Sequence, residues 1–413
     1  MRKELFISVL AVTSLVSCTS SSNGMEELLK GRAVGFDTYV STKGVTTDLE
    51  LLKTEGFGVF AYHHVAVGQT EAGWDGTGTP DFMDNQKVTY SSPMWVYNPV
   101  KYWPNNSNDR VSFFAYGPYD AAQTIITENC PKIKHSLSTS EKMVDLIGAV
   151  PVYNAGGKSP NNNTVDFHFK HLLTRVKFSA KVAGSIMPNS PETKVYVTNL
   201  QLVGTDNKSL YNRDGEVEVS TNFVKEATFS FSTQADIDMA GNGVSDAYVE
   251  AVGNWEATSL HRENLDLAGE KVGSSYPGVF AKNTNVNNPT GSDCFGTNNL
   301  DGVLIYSSEE EIEVKSLFKN NEYLYLIPPT AEGVSAAASD QLVYIEYYVV
   351  SKSEDGKTYT QNENHDILSL PKDKLRPGKA YNFTFALNLG QVILEPSIDD
   401  WVTEEDDTIV TPK

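Results

Sequence analysis

The most pointed chemistry in the chain belongs to Cys18, which closes the run Leu15-Val16-Ser17-Cys18. Ahead of it stand a basic pair, Arg2 and Lys3, and an apolar stretch from Leu5 to Val16. That stretch is too short to span a bilayer as a helix and reads as a signal peptide, residues 1–17. A leucine, two small or apolar positions and a cysteine form the pattern that bacterial lipoprotein processing cuts, here between Ser17 and Cys18, before acylating the thiol. Two or more acyl chains anchor stably where one is marginal. Cys18 is therefore expected to begin the mature chain and to carry its anchor, because no later apolar stretch approaches membrane-spanning length.

Other residues offer only fragments of chemistry. Gly156-Gly157-Lys158-Ser159 ends like a phosphate loop, but Val152 stands where the first turn-making glycine belongs, so the segment reads as a turn. Asp236 and Asp238 before Gly241 resemble the start of a calcium loop, yet Ala240 and Ala247 replace oxygen ligands. His168 and His171 are three apart in an alternating context, which sends them to opposite faces, and His63-His64 diverge in the same way. No metal, cofactor or catalytic residue is predicted. Carboxylate pairs such as Asp399-Asp400 come without any sign of a cleft. An envelope hydrolase stays a third reading, because glycosidase carboxylates need no fixed spacing. Trp74, Trp95 and Trp103 with Tyr90, Tyr97 and Tyr102 concentrate aromatics over thirty residues. They read as core, with a glycan-stacking platform as the alternative.

The elements that would position these residues are strands. Val176, Phe178, Ala180 and Val182 alternate with Lys177, Ser179 and Lys181, and Val343, Ile345, Tyr347 and Val349 keep the same period of two. Tyr381, Phe383, Phe385, Leu387 and Leu389 form a further alternating run, predicted to continue as one strand to Leu394. Helical signals are few: Leu49 to Lys53 behind the caps Thr47-Asp48, and Ser140 to Ile147. The predicted fold is all-β, as tandem antiparallel sandwiches with few short helices.

Residues 18–32 read as a lipid tether and the start of a propeptide, opened by the small, polar segment Thr19 to Gly24. A shift to Pro, Ser and Gly at Ala183 to Thr193 marks the boundary between an N-terminal domain, residues 33–185, and a C-terminal domain, residues 190–413. The weakly patterned stretch from Asp236 to Asp301 is a long insertion or a third module. The net charge of −20 repels phosphate backbones and excludes nucleic acid as a natural partner. Besides Cys18 only Cys130 and Cys294 occur, which reads as two buried thiols or at most one bridge.

Several blocks in order resemble the fimbrillin superfamily of the Bacteroidetes, type V pilus subunits with two transthyretin-like β-sandwich domains. The blocks are Phe36 in the first strand, Phe57-Gly58-Val59-Phe60-Ala61-Tyr62, Tyr102-Trp103-Pro104 through Val111-Ser112-Phe113-Phe114-Ala115-Tyr116, and Asp145-Leu146-Ile147. Phe167 to Phe178 and Pro377-Gly378-Lys379-Ala380-Tyr381 through Trp401 complete them. The resemblance implies no enzyme but a subunit carried as a lipoprotein to the outer membrane. A protease there cuts after a basic residue that follows the first strand, and a neighbour's strand replaces the one lost.

Mapped onto this chain, the strand to be shed is Ala33 to Val40, carrying Val34, Phe36 and Val40, and the cut falls between Lys43 and Gly44. The alternative, between Arg32 and Ala33, would release the lipid but leave the strand in place. On the C-terminal side Phe383, Phe385, Leu387 and Leu389 are the strand-exchange candidates. The implied partners are other fimbrial subunits, the membrane through the lipid, and surface glycans or proteins. Anchor, tip and non-polymerising glycan-binding lipoprotein are the alternatives.

Overall fold

The computed structural model describes residues 32–40, 47–128, 130–137, 144–156, 163–183, 192–204, 223–224, 226–240, 252–256, 262–263, 265–266, 303–308, 311–317, 324–328, 341–352, 359–370, 375–388 and 392–400. The first eleven strands are β1 Gly35–Val40, β2 Phe57–His64, β3 Met83–Ser91, β4 Met94–Val96, β5 Arg110–Gly117, β6 Ile125–Glu128, β7 Cys130–Ser136, β8 Ile147–Ala149, β9 Val152–Gly156, β10 Thr164–His171 and β11 Thr174–Val182. There follow β12 Glu192–Gly204, β13 Phe223–Val224, β14 Glu226–Phe231, β15 Gly253–Glu256, β16 Arg262–Glu263, β17 Leu265–Asp266 and β18 Val303–Ser307. The last six are β19 Lys315–Ser316, β20 Leu324–Leu326, β21 Gln341–Lys352, β22 Tyr359–Ser369, β23 Lys379–Leu387 and β24 Val392–Asp400. The helices are α1 Thr47–Glu55 and α2 Gln234–Ala240. The fold is all-β, as expected.

The first sheet runs β1-β10-β8-β5-β2-β3-β4, with β9 on β5. Its central strands β2 and β5 are buried almost throughout, because both faces are covered. Alternate side chains feed two cores: Val59, Ala61, Val111, Phe113 and Ala115 join one cluster, while Phe60, Tyr62, Phe114 and Tyr116 join the other. The pleat alone makes this split, since successive side chains point to opposite faces. The sheet curls until its ends meet, where Val34 N donates to Lys101 O at 2.9 Å and the Tyr97 hydroxyl donates to Val34 O at 2.8 Å.

Two further sheets face each other in the C-terminal half: β19-β11-β23-β24 with β20, and β17-β12-β21-β22 with β18. Phe178, Phe383 and Phe385 from the first meet Val195, Ile345 and Tyr347 of the second in one cluster. Strand β11 is hydrogen-bonded in parallel to β23 from Arg175↔Ala380 to Val182↔Leu387. The expected boundary at 183–193 therefore lies after a strand that already belongs to the C-terminal sheet. Nor does the chain leave the N-terminal half cleanly there, because β14 and β15 return to complete the sheet β15-β14-β7-β6.

Three other expectations are corrected. The helix foreseen over Ser140 to Ile147 gives way at its end to β8, where Ile147 is buried between sheet neighbours; residues 138–143 lie outside the described ones. The run from Tyr381 to Leu394 is two strands, β23 and β24, folded back as an antiparallel hairpin. Asp236 and Asp238 sit in helix α2 rather than in a loop, with Asp236 Oδ2 accepting from Thr233 N at 2.8 Å as a cap. Cys294 and Gly241 lie outside the described residues, as does the Cys130 side chain.

One pH effect arises from this packing. His135 on β7 lies opposite Ala227 of β14, and burial pushes its imidazole down to about 4, with the charge of Asp120 offsetting part of the shift. The unfolded chain titrates this group near 6.5. Between those values the unfolded state binds more protons, so the contribution of His135 to stability is lost as pH falls, by up to about 3 kcal/mol. His135→Gln is expected to flatten the urea midpoint against pH between 7 and 4. An unaltered slope would refute the assignment.

Candidate functional site

Strand β1 is an edge strand seated in an aromatic groove. It pairs in parallel with β10 over its whole length, from Gly35↔Thr164 to Val40↔Phe169. Its inward residues are Val34, Phe36 and Thr38, all buried, while Asp37 and Tyr39 face solvent. The Phe36 ring is 5.3 Å from Tyr97, 5.5 Å from Phe167, 6.1 Å from Phe57 and 6.3 Å from Phe113 between centroids. Outside the sheet, Tyr39 stacks on His168 at 5.0 Å, and the charge of Asp37 raises its phenol.

The N-terminal end of β1 is clasped on both sides. Gly35 N donates to Asn163 O at 3.0 Å, and Asn163 Nδ2 donates to Ala33 O at 2.7 Å. Trp103 Nε1 donates to the same Asn163 carbonyl at 3.0 Å, and Trp103 N to Arg32 O at 2.9 Å. The Arg32 guanidinium donates to Asn105 Oδ1 and to the carbonyls of Trp103 and Pro104. Burial pushes the Tyr97 phenol up to about 12, so its hydroxyl stays protonated and holds Val34 O at any physiological pH. The groove thus has an aromatic floor, one full wall of backbone from β10, and a second wall at residues 101–103.

Of the residues expected to matter, Val34 and Phe36 fill this groove and Val40 ends the strand opposite Phe169. The Arg32-Ala33 bond lies inside the clasp, paired to Tyr102 and Trp103. Ser17, Cys18, Lys43 and Gly44 lie outside the described residues. Tyr97, Trp103 and Asn163 do work that sequence reasoning did not assign to them. Trp103 stood among aromatics expected in the core, and Asn163 closed a turn cluster, but neither position carried a local signal that it touches residues 33 to 35.

The family model described as fimbrillin-like matches residues 42–252, just over half of the 413 residues. The chain belongs to the fimbrillin-like family. The matched span opens just beyond β1 and includes both walls of the groove. This fimbrillin-like chain is also similar to the curated protein Fimbrium subunit Fim1C of Phocaeicola vulgatus, at 26% identity over 438 aligned positions and the whole length of both. Among solved structures, a fimbrial protein from Bacteroides vulgatus shares the fold at a TM-score of 0.61 and 22% identity, over 90% of this chain and 99% of that one.

On the C-terminal side of the fimbrillin-like chain the strand-exchange candidates need correcting. Phe383, Phe385 and Leu387 lie in β23, which is hydrogen-bonded to β11 on one edge and β24 on the other, and all three are fully buried. A strand paired on both edges is core, not a strand to be lent. Leu389 lies outside the described residues, and the edge of that sheet is β24, which among the described residues pairs with β23 alone.

The histidines sort as the pleat requires. His168 is exposed, whereas His171 is buried and hydrogen-bonded to Asp145. His63 Nε2 meets Asp109 Oδ2 at 3.0 Å, and His64 Nε2 meets Ser112 Oγ at 3.1 Å. Among the described residues no group of three or more His, Cys, Asp or Glu is placed to hold a metal. Of the aromatic cluster, Trp103 is buried, Trp95 and Tyr97 pack on the groove core, Trp74 packs on the opposite core, and Tyr102 is largely exposed. Of the six rings only Trp103 is buried, while Trp74, Tyr90, Trp95 and Tyr97 are partly covered by packing against neighbours.

Proposed function

We propose that this chain is a structural subunit of a cell-surface fimbrium, exported as a lipoprotein through Cys18 and assembled when β1 is exchanged for a strand of a neighbouring subunit. The observation that carries this reading is β1 itself. It is an edge strand, paired along its length to β10 only, yet it supplies two core side chains, Val34 and Phe36. Its removal would open an apolar groove with an unpaired strand edge, which invites another strand. Filling that groove head to tail gives a filament rather than a closed ring when the rotation does not close. Similarity to a fimbrium subunit over the full length supports the same role. In this reading the protein works by binding and assembly, not by catalysis, and its lipid would hold the precursor at the outer membrane.

Between the two basic sites, the geometry favours Lys43. The Arg32-Ala33 peptide is paired to residues 102 and 103 and the Arg32 side chain is engaged by three acceptors, so a protease would have to break the clasp to reach it. Cutting there would also leave β1 in place. The test is limited digestion of the chain lacking residues 1–18 with a lysine-directed and an arginine-directed protease, followed by N-terminal sequencing and mass measurement. A new N-terminus at Gly44, then multimers that Lys43→Ala abolishes, is expected. A cut at Arg32 alone, or a chain cut at Lys43 that stays monomeric, would overturn the polymerising role and leave an anchor or tip.

A further inference from the structure

The connection from β2 to β3 spans eighteen residues, 65 to 82, with no helix or strand. Connections of that length without regular structure are uncommon in compact domains and usually carry function. This one has a fixed shape. Ala66 N donates to Asp109 Oδ1 at 2.9 Å, Ala72 N to Asn108 O at 2.9 Å, Trp74 N to Asn154 Oδ1 at 2.8 Å, and Phe82 N to Ala61 O at 3.1 Å. The Trp74 ring is wedged at 4.8 Å from Tyr62 and 5.7 Å from Phe114.

The loop arches over an open cavity of about 570 Å³ beside His63 and His64. That volume is in the range of small-molecule sites. Its polar lining joins hydroxyls and carboxylates, Thr70, Thr77 and Thr79 with Glu71, Asp75 and Asp81, to the imidazoles of His63 and His64. Glu71 is paired with Arg110 from outside the cavity, Asp75 is held below the usual carboxylate range chiefly by the Thr77 N–H, and Asp81 accepts from His63 N at 2.8 Å. No lysine or arginine lines the cavity. Val65 and Val67, 67% and 86% exposed, add apolar surface to the same lining.

We propose that this cavity is a binding site for a short saccharide without acidic groups. Carboxylate and threonine oxygens arranged around a preformed space accept hydrogen bonds from vicinal hydroxyls, and the exposed valines meet the C–H face of a sugar ring. With no lysine or arginine in the lining, and with Asp75 and Asp81 left once Arg110 offsets Glu71, the carboxylates reject sialylated and sulfated glycans, since an unpaired like charge raises the cost of binding. The site lies on the β2–β3 loop rather than in the β1 groove, so it does not depend on strand exchange.

The experiment is binding of the chain lacking residues 1–18 to a printed panel of neutral, amine-bearing and sialylated oligosaccharides, followed by calorimetry with the best neutral binder. Gly73 is on the lining and a Cβ added there meets nothing within 4 Å, so Gly73→Phe brings a ring to the cavity without a clash at its first carbon. It is expected to weaken binding at least tenfold with an unchanged melting temperature. Thr79→Tyr, from an exposed position on the same lining, serves if the first variant fails to fold. Preference for sialylated glycans, binding unaltered by a folded filling variant, or no binding across the panel would overturn the proposal.

Discussion

Phe36→Ala is expected to destabilise the intact chain by about 3–5 kcal/mol, the range for emptying a buried aromatic site. The ring is 7% exposed and touches four other aromatic rings, so its loss leaves a hole that the groove has little means to fill. The floor is held by strands β2 and β5 at the centre of the sheet and cannot collapse toward an edge strand. Because β1 is held on its long side by one strand alone, the loss should appear first as its departure. Amides of β10 opposite Gly35 to Val40 should exchange with deuterium much faster than in the parent chain. Asp37→Ala, on the solvent face of the same strand, should leave exchange within about 0.5 kcal/mol of the parent. Equal exchange in the Phe36 and Asp37 variants would mean that β1 is not held by its inward side chains.

Gly58→Ala should be comparably damaging, at about 3 kcal/mol, and the chain is expected to accumulate poorly in soluble form. A Cβ there would lie 2.3 Å from Tyr116 Cε1, 2.6 Å from its Cζ and 2.7 Å from Asn85 Oδ1. None of these neighbours can give way. Tyr116 is fully buried, stacks on Phe60 with centroids 6.1 Å apart, and has its hydroxyl 2.8 Å from both Asn85 Oδ1 and Asp120 O. Burial also raises its phenol, which keeps the donor proton in place. Adding Tyr116→Leu to Gly58→Ala should recover part of the loss, which a double-mutant cycle on urea midpoints would measure. Gly73→Ala, where the new carbon meets nothing, is the control. Full additivity of the two substitutions would place the damage elsewhere than at the Tyr116 ring.

The parts of this fold that could be read from the chain are those where one face of an element is wet. Thr164 to His171 alternates between exposed and buried along its length, so both the strand and the opposed placement of His168 and His171 followed from a period of two. The capped turn after Thr47 became helix α1 for an equally local reason. In β2 the spacing of Phe57, Val59 and Ala61 reads as one inward face, but the segment is buried on both faces, which that alternation does not convey. The hairpin within Tyr381 to Leu394 was hidden because the apolar period continues through Leu389 without a proline or an Asn-Gly pair to mark the turn. Pairing between distant strands has no local signature at all. For that reason local pattern groups β11 with the N-terminal half and leaves β23 looking like a strand that could be lent. At the groove, Val34 and Phe36 announced a strand by type and spacing. Asn163, Trp103 and Tyr97 could not announce that they hold it, because their contacts join residues sixty or more positions apart.

The parallel register of β1 on β10 also fixes an order of events. Gly35 meets Thr164, so during synthesis the partner emerges only after about 130 further residues, and a loop of that length must close before the pair can form. The antiparallel neighbours β2, β3 and β5 lie close in sequence and can assemble first, with Phe57 and Phe113 already in place. Until β10 has emerged the groove has a floor from β2 and β5 but lacks the backbone wall that β1 pairs with. The first strand to occupy it is the one tethered to it, which arrives by proximity before any strand from outside has to compete.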